Sequence, residues 1–285
     1  MSSRSSGSRC ASLEDVRAWM PARDRRRRRA LVVGGSWSSH GDPVLAGIAA
    51  LYAGAGEVYV AAPSRIADSI RCASPDLSVV PMPDQKLTRG AAAWIARHVR
   101  GVDAAYLGAG FHDAGGASYL ALELASAGAR LVLGSEGAGA EVLARLSGAG
   151  RRFVALYDEG EFARAFGPAA PGDDDSAEPV RRAAAEVGGV VAMLGQLIAA
   201  SDGAAAFSCP SGPSAWPAGS VSVMGGLLTG LVALGMDDLK AAAAAGLVMG
   251  LARDAASSRM GFHWGASALL DELPGILMRF DYARP

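Results

Sequence analysis

The amino-acid sequence predicts a three-layer α/β protein with a mainly parallel central sheet flanked by helices. Three observations predict it. Short apolar runs such as Ala30-Leu31-Val32-Val33 lack polar alternation, as strands buried on both faces do. These runs end in glycine turns, Gly34-Gly35-Ser36 and Gly108-Ala109-Gly110. Strand-like and helix-like segments then alternate along most of the chain, the pattern of a parallel sheet with crossover helices. Ligands of such sheets sit outside the carboxyl ends of the strands, so the glycine turns are where function is to be sought.

The elements follow in order. Residues 1–12 read as a disordered tail, and Met1 to Arg9 lacks the apolar stretch of a signal peptide. Leu13 to Trp19 is a short helix with Ser12 as N-cap and Pro21 beyond its end. The run Arg23-Asp24-Arg25-Arg26-Arg27-Arg28-Arg29 is read as a solvated lead-in to a strand in preference to a polyanion patch. Strand Ala30–Val33 leads to helix Pro43–Tyr52, which has proline in its first turn and is stopped by Gly54. Strand Glu57–Ala61 follows. Later come strand Ala104–Leu107, helix Ala117–Ala127, strand Arg130–Leu133, helix Glu141–Leu146, strand Phe153–Leu156 and helix Glu161–Phe166. Asp173-Asp174-Asp175 reads as a solvated loop before a helix capped near Ser176. Val190–Ala199 reads as strands around Gly195, and small-residue helices run from Val223 onward.

Composition bounds the function. The 285 residues suffice for one large domain or two small ones. Hydrophobic residues make up 51% and mean hydropathy is +0.22, so a sizeable core is within reach. Aromatics are 6% against 37 glycines, which predicts closely packed small-residue helices in place of bulky rings. A net charge of −1 argues for neither a nucleic-acid nor a membrane partner. Cys10, Cys72 and Cys209 are far apart with no paired spacing, so neither a disulfide nor a zinc site is expected and a cytoplasmic location is. His40, His98, His112 and His263 show no ligand spacing, and no metal site is expected.

One segment carries chemistry. Ala218-Gly219-Ser220-Val221-Ser222-Val223-Met224-Gly225-Gly226 is a small-residue turn feeding a helix, which offers backbone N–H groups and the positive end of a dipole to an anion. Gly34-Gly35-Ser36 is a second candidate ligand-facing turn.

With Leu31-Val32-Val33-Gly34-Gly35-Ser36, Gly41-Asp42-Pro43-Val44-Leu45-Ala46, Ala49 through Gly56, Gly108-Ala109-Gly110-Phe111 and Gly265 through Pro274, this segment resembles the NAD(P)H-hydrate dehydratase family of the ribokinase-like superfamily, over roughly Ala30 to Phe280. The resemblance implies a ribokinase-like domain over 30–285; residues 1–29 before it are read as a disordered or extended basic segment, and the small-residue helices are expected to form an interface in a homo-oligomer. It implies ADP or ATP with Mg²⁺, and hydrated NADH or NADPH as substrate. A nucleoside di- or triphosphate phosphorylates the hydrate's hydroxyl, and elimination restores the nicotinamide cofactor.

Carried over by position, Gly195, Gly219, Ser220 and Val221 face the nucleotide, and Gly41, Asp42, Gly110, Asp158 and Glu161 face the substrate. Ser222 stands where the family pattern has the Asp that takes the substrate's proton; serine is too weak an acid to serve unaided, and loss of a general base typically lowers rate by about 10²–10⁴. Val221 replaces a cradle glycine, Glu136 and Gly134 stand for a pair of Asp residues, Asp158 for a His, and Leu194 for a Lys. Asp42 stands where a small Ala lies against the substrate. The resemblance therefore points to a diverged member with lost or reduced catalysis; an active ADP/ATP-dependent dehydratase is the alternative, and a small-molecule kinase of the same superfamily a further one.

Overall fold

The computed structural model describes residues 8–21, 27–83, 85–110, 115–168, 177–210 and 216–281. Among them nine strands form one sheet: β1 (Arg29–Gly34), β2 (Glu57–Pro63), β3 (Ser78–Met82), β4 (Ala104–Ala109), β5 (Arg130–Gly134), β6 (Phe153–Asp158), β7 (Val190–Leu194), β8 (Leu197–Ser201) and β9 (Ala206–Pro210). Their order is β3-β2-β1-β4-β5-β6-β7-β8-β9, parallel from β3 to β7 and antiparallel through β8 and β9. The expected three-layer α/β architecture is the one observed.

Strand alternation divides the core into two. Ala30 and Val32 of β1 face a layer containing α1 (Leu13–Trp19), α2 (Gly41–Tyr52), α3 (Ser64–Ala73), α9 (Ser220–Ala233), α10 (Asp238–Met260) and α11 (Ala266–Asp281). Leu31 and Val33 face α4 (Arg89–His98), α5 (Ala117–Ser126), α6 (Ala140–Gly148), α7 (Glu159–Phe166) and α8 (Glu178–Val187). This is what a purely apolar strand requires: both of its faces are covered.

The glycines and alanines settle which helices come closest. A Cβ placed on Gly226 would lie 2.0 Å from the Ala46 carbonyl oxygen, and one on Gly230 would lie 2.6 Å from that of Ala50. Helices α2 and α9 therefore touch backbone to backbone, with the first turn of each at the carboxyl edge of the sheet.

Between Ala61 and Ala104 the sequence reading assigns no element, yet the chain makes α3, β3 and α4. Strand β3 is at the sheet edge and carries Pro81, which only an edge tolerates and which breaks the strand signature in the sequence. Arg28 pairs with Asp103 at 3.5 Å and Arg29 with Glu57 at 3.0 Å, so the end of the arginine run is tied to neighbouring strands. Residues 1–7, 22–26 and 169–176 lie outside the described residues, and with them most of that run, Asp173-Asp174-Asp175 and the cap expected at Ser176.

The cysteine expectation is corrected. Cys10 and Cys209 form a disulfide with their Cα atoms 4.8 Å apart, across a sequence separation of 199. Residues 8–12, read from the sequence as tail, lie along β9: Arg9 bridges Phe207, and the Ser208 N–H donates to the Arg9 carbonyl at 3.1 Å. Trp19 meets Phe207 edge-on at 5.3 Å. Spacing along the chain says nothing about a pairing made between its first segment and its last strand. Cys72 is a free, exposed thiol. No helix among the described residues is long and apolar enough to cross a membrane.

Candidate active site

A cavity of about 300 Å³ opens at the carboxyl ends of β4, β5 and β6, between them and the start of α9. Asp42, Gly110, Asp158, Glu161 and Gly219 through Ser222 line it, so eight of the ten residues singled out from the sequence meet there. Gly41 and Gly195 do not. Gly41 precedes Asp42 in the first turn of α2 with nothing within 4 Å of a would-be Cβ. Gly195 acts one step removed: its carbonyl accepts from Trp216 Nε1 at 2.9 Å, and Trp216 lines the cavity. The Gly34-Gly35-Ser36 turn does not face ligand either; the Gly35 N–H donates to the Ala109 carbonyl at 2.7 Å, which joins the ends of β1 and β4.

The cradle forms because Gly219 takes φ 89°, a conformation that opens α9 without a side-chain cap. The first-turn N–H groups are then presented to the cavity, the arrangement that binds anions. The Ser220 hydroxyl is turned away, donating to the Pro217 carbonyl at 2.7 Å. Val221, which stands for a cradle glycine, has helical backbone and no positive φ, so its β-branched side chain meets no backbone conflict there. Ser222, 6% exposed, donates its hydroxyl proton to Asp42 Oδ1 at 2.9 Å.

The opposite wall is carboxylate-rich. Asp158 caps α7, accepting from the Glu161 N–H at 2.6 Å, and Glu161 returns the bond to the Asp158 N–H at 2.8 Å. The other Glu161 oxygen accepts from the Ser135 hydroxyl. Glu136 keeps one flank exposed, yet withdrawal of water around its carboxyl, with repulsion from Glu161 and Asp42, raises it to about 7. The described lining holds no Lys, Arg or His. A divalent cation carried in on phosphates needs only one or two protein carboxylates, which this wall supplies; no cluster of three ligands stands ready among the described residues.

Tyr106 and Trp216 are the aromatic lining residues that the sequence reading missed. The Tyr106 ring packs against Gly225 and its hydroxyl points toward Gly134, buried and without a hydrogen-bond partner. Burial holds this phenol well above its ordinary value; nearby Glu136, Asp42 and Glu161 push the same way, and the Ser222 hydroxyl opposes them. A lone tyrosine in the otherwise aliphatic Ala104–Leu107 run is a signal for it. Trp216 stacks on Arg253 at 5.0 Å, a pairing invisible along the sequence. A second cavity of about 720 Å³, between α6, α7 and α8, shares Ser135, Glu136 and Glu161 with the first.

Glu136 makes anion binding pH-dependent. Its carboxyl is neutral below about 7 and adds a negative charge to the cavity as pH rises through that value. Affinity for ADP without divalent cation is therefore expected to fall between pH 6 and pH 8, about several-fold for one charge at this range. Glu136→Gln should flatten that fall, read by calorimetric titration at both pH values.

Comparison with known proteins bears on the same residues. A family profile described as NAD(P)H-hydrate dehydratase matches residues 30–275. The chain is 35% identical to an ADP-dependent (S)-NAD(P)H-hydrate dehydratase of Cenarchaeum symbiosum over 94% of this chain and 96% of that one. It is 32% identical to a protein of the same name from Nitrosopumilus maritimus, over 93% and 96%. Among solved structures, an ADP/ATP-dependent NAD(P)H-hydrate dehydratase of Bacillus subtilis, co-crystallised with ATP and Mg²⁺, superposes with a TM-score of 0.78 at 20% identity, covering 96% of this chain and 99% of the other. A ribokinase-like superfamily protein of Enterococcus faecalis gives 0.75 at 14% identity, over 98% and 99%. Glycine-opened cradle, carboxyl-edge cavity and near full-length similarity converge: the chain belongs to the NAD(P)H-hydrate dehydratase family and has its ribokinase-like fold.

Proposed function

We propose that this chain is a working nucleotide-dependent NAD(P)H-hydrate dehydratase, with ADP or ATP as phosphoryl donor and hydrated NADH or NADPH as substrate. The observation that carries this reading is the open cavity that places the α9 cradle opposite Asp42, Asp158, Glu136 and Glu161. The cradle N–H groups would hold the transferring phosphate, and the Gly108–Gly110 edge leaves room for the hydroxylated ring. The adjoining larger cavity supports the same reading, because a dinucleotide needs more space than the first provides. Nucleotide and reduced pyridine substrates go with a cytoplasmic setting; the cysteine argument for it is withdrawn with the Cys10–Cys209 pair.

A second reading, a pseudoenzyme that binds without turning over, is favoured by one observation: the described cavity lining has no basic side chain, and Leu194 and Asp158 stand where the family pattern has Lys and His. Absorbance of regenerated NADH separates the two, measured on hydrated NADH with ADP or ATP and Mg²⁺. The proposal expects turnover above the nucleotide-free background. No turnover, together with a nucleotide-induced rise in unfolding temperature, would establish the pseudoenzyme. Ligand at about 100 times its Kd stabilises by roughly 2.7 kcal/mol, enough to see. Transfer to a sugar or vitamin alcohol but not to the hydrate would instead identify a kinase.

A further inference from the structure

We propose that the proton-accepting carboxylate of this site has moved from α9 to α2: Asp42, acting through Ser222, is the base that activates the substrate hydroxyl. The inference rests on the dehydratase reading above and assigns the role that Ser222 alone cannot fill.

Four observations carry it. The Ser222 hydroxyl donates to Asp42 Oδ1 at 2.9 Å, so the serine's own proton already points at a carboxylate. The second oxygen, Oδ2, faces the opposite side of the cavity: a Cβ on Gly110 would lie 2.7 Å from it, whereas one on Gly219 would lie 3.8 Å from Oδ1. The Asp42 carboxylate thus spans the gap between the Gly110 turn and the phosphate cradle. Its position is fixed from behind, because α2 and α9 meet backbone to backbone at Gly226 and Ala46, and Pro43 sets the first turn of α2. Finally, the buried Tyr106 hydroxyl lies beneath the same spot, beside Ser222 and near Asp42.

The exchange is reciprocal. The family pattern has a carboxylate at 222 and a small residue at 42; this chain has the small polar residue at 222 and the carboxylate at 42. Across two helices in backbone contact, both arrangements put one carboxylate at the mouth of the cradle.

The step balances. The substrate hydroxyl oxygen attacks the terminal phosphorus of the nucleotide, an O–P bond forms, and the bond from that phosphorus to the bridging oxygen breaks. The leaving nucleotide, one phosphate shorter, keeps the electron pair. The hydroxyl proton passes to Ser222 Oγ while the Ser222 proton passes to Asp42, which ends protonated and loses that proton to water after product release. No oxidant or reductant is involved.

The test is a set of three proteins: the unaltered chain, Asp42→Asn, and the exchange variant Asp42→Ala/Ser222→Asp. Each is assayed for kcat and KM in NADH regeneration and for unfolding temperature with and without ADP. We expect Asp42→Asn to lose about 10²–10⁴ in kcat with KM and its ADP-induced shift retained. The exchange variant should recover at least about tenfold over Asp42→Asn. Asp42→Asn within about threefold of the unaltered chain would overturn the assignment while leaving the dehydratase reading in place. Turnover by the exchange variant alone would likewise overturn it, since the pocket would be competent and Asp42 idle. Silence from all three would overturn both readings together.

Discussion

Gly226→Val is expected to unfold the α2–α9 contact and lower the unfolding temperature by about 6–12 °C. A Cβ at this position would lie 2.0 Å from the Ala46 carbonyl oxygen and 2.6 Å from its carbon, so the clash is with backbone that no rotamer change can clear. Overpacking in a core typically destabilises by about 1–3 kcal/mol, and a backbone clash belongs at or above the top of that range. At about 2–4 °C per kcal/mol, that range follows from about 3 kcal/mol. Thermal unfolding followed by circular dichroism measures it. Gly275→Ala is the matched control: nothing lies within 4 Å of its would-be Cβ, and it should be neutral or slightly stabilising. Equal effects at the two sites would mean that the close approach of α2 and α9 is not what holds this layer. The same variant should also separate Asp42 from Ser222, since their contact depends on that approach.

Asp238→Ala is expected to destabilise the protein by about 3 kcal/mol. Asp238 is 4% exposed in the first turn of α10 and accepts from both Arg130 and Arg152, the latter at 2.9 Å. Arg130 leaves β5 to reach it and also donates to the Val232 carbonyl at the end of α9 at 3.3 Å. One carboxylate therefore ties α10, α9 and the sheet. Removing it leaves a largely buried guanidinium whose Nε already has no partner, and an uncompensated buried charge is what makes such deletions expensive. The Arg152 arm, more than half exposed, adds little. Chemical denaturation reads the effect; Asp238→Asn, which keeps an acceptor, should lose less. A change below about 0.5 kcal/mol for the alanine variant would show that the network is decorative.

Strands β1, β4, β5 and β7 are legible in the sequence because they are apolar runs closed by glycines, and β2 and β6 because they too are short and largely apolar, as burial on both faces demands. What is not legible fails for local reasons. Strand β3 is short and interrupted by Pro81, tolerable only at an edge whose existence depends on the rest of the sheet. Strand β9 is recognisable only beside β8 and the segment around Arg9. In the site, motif position locates Gly219, Ser222 and Glu161, since a cradle and a capping box are local devices. The meaning of Asp42 is not local: its partner is 180 residues away, and only the glycine–alanine contact of α2 with α9 brings them together. Read singly, Ser222 is a missing carboxylate and Asp42 an intruding one. Read as a pair 2.9 Å apart, they describe one carboxylate reached from the other side.

The covalent link between Cys10 and Cys209 has a consequence for how the chain is made. Synthesis proceeds from the N-terminus at about 5–20 residues per second, so the 199 residues separating the two cysteines take roughly 10–40 s to appear. Throughout that interval Cys10 is a thiol without its partner, while Cys72 has already emerged and remains exposed even in the finished fold. The strand that finally receives Cys10 is β9, the last strand of the described sheet to be made, and the cradle follows about ten residues after it. The segment around Cys10 is thus fastened to the sheet only when the phosphate-binding turn is about to be made.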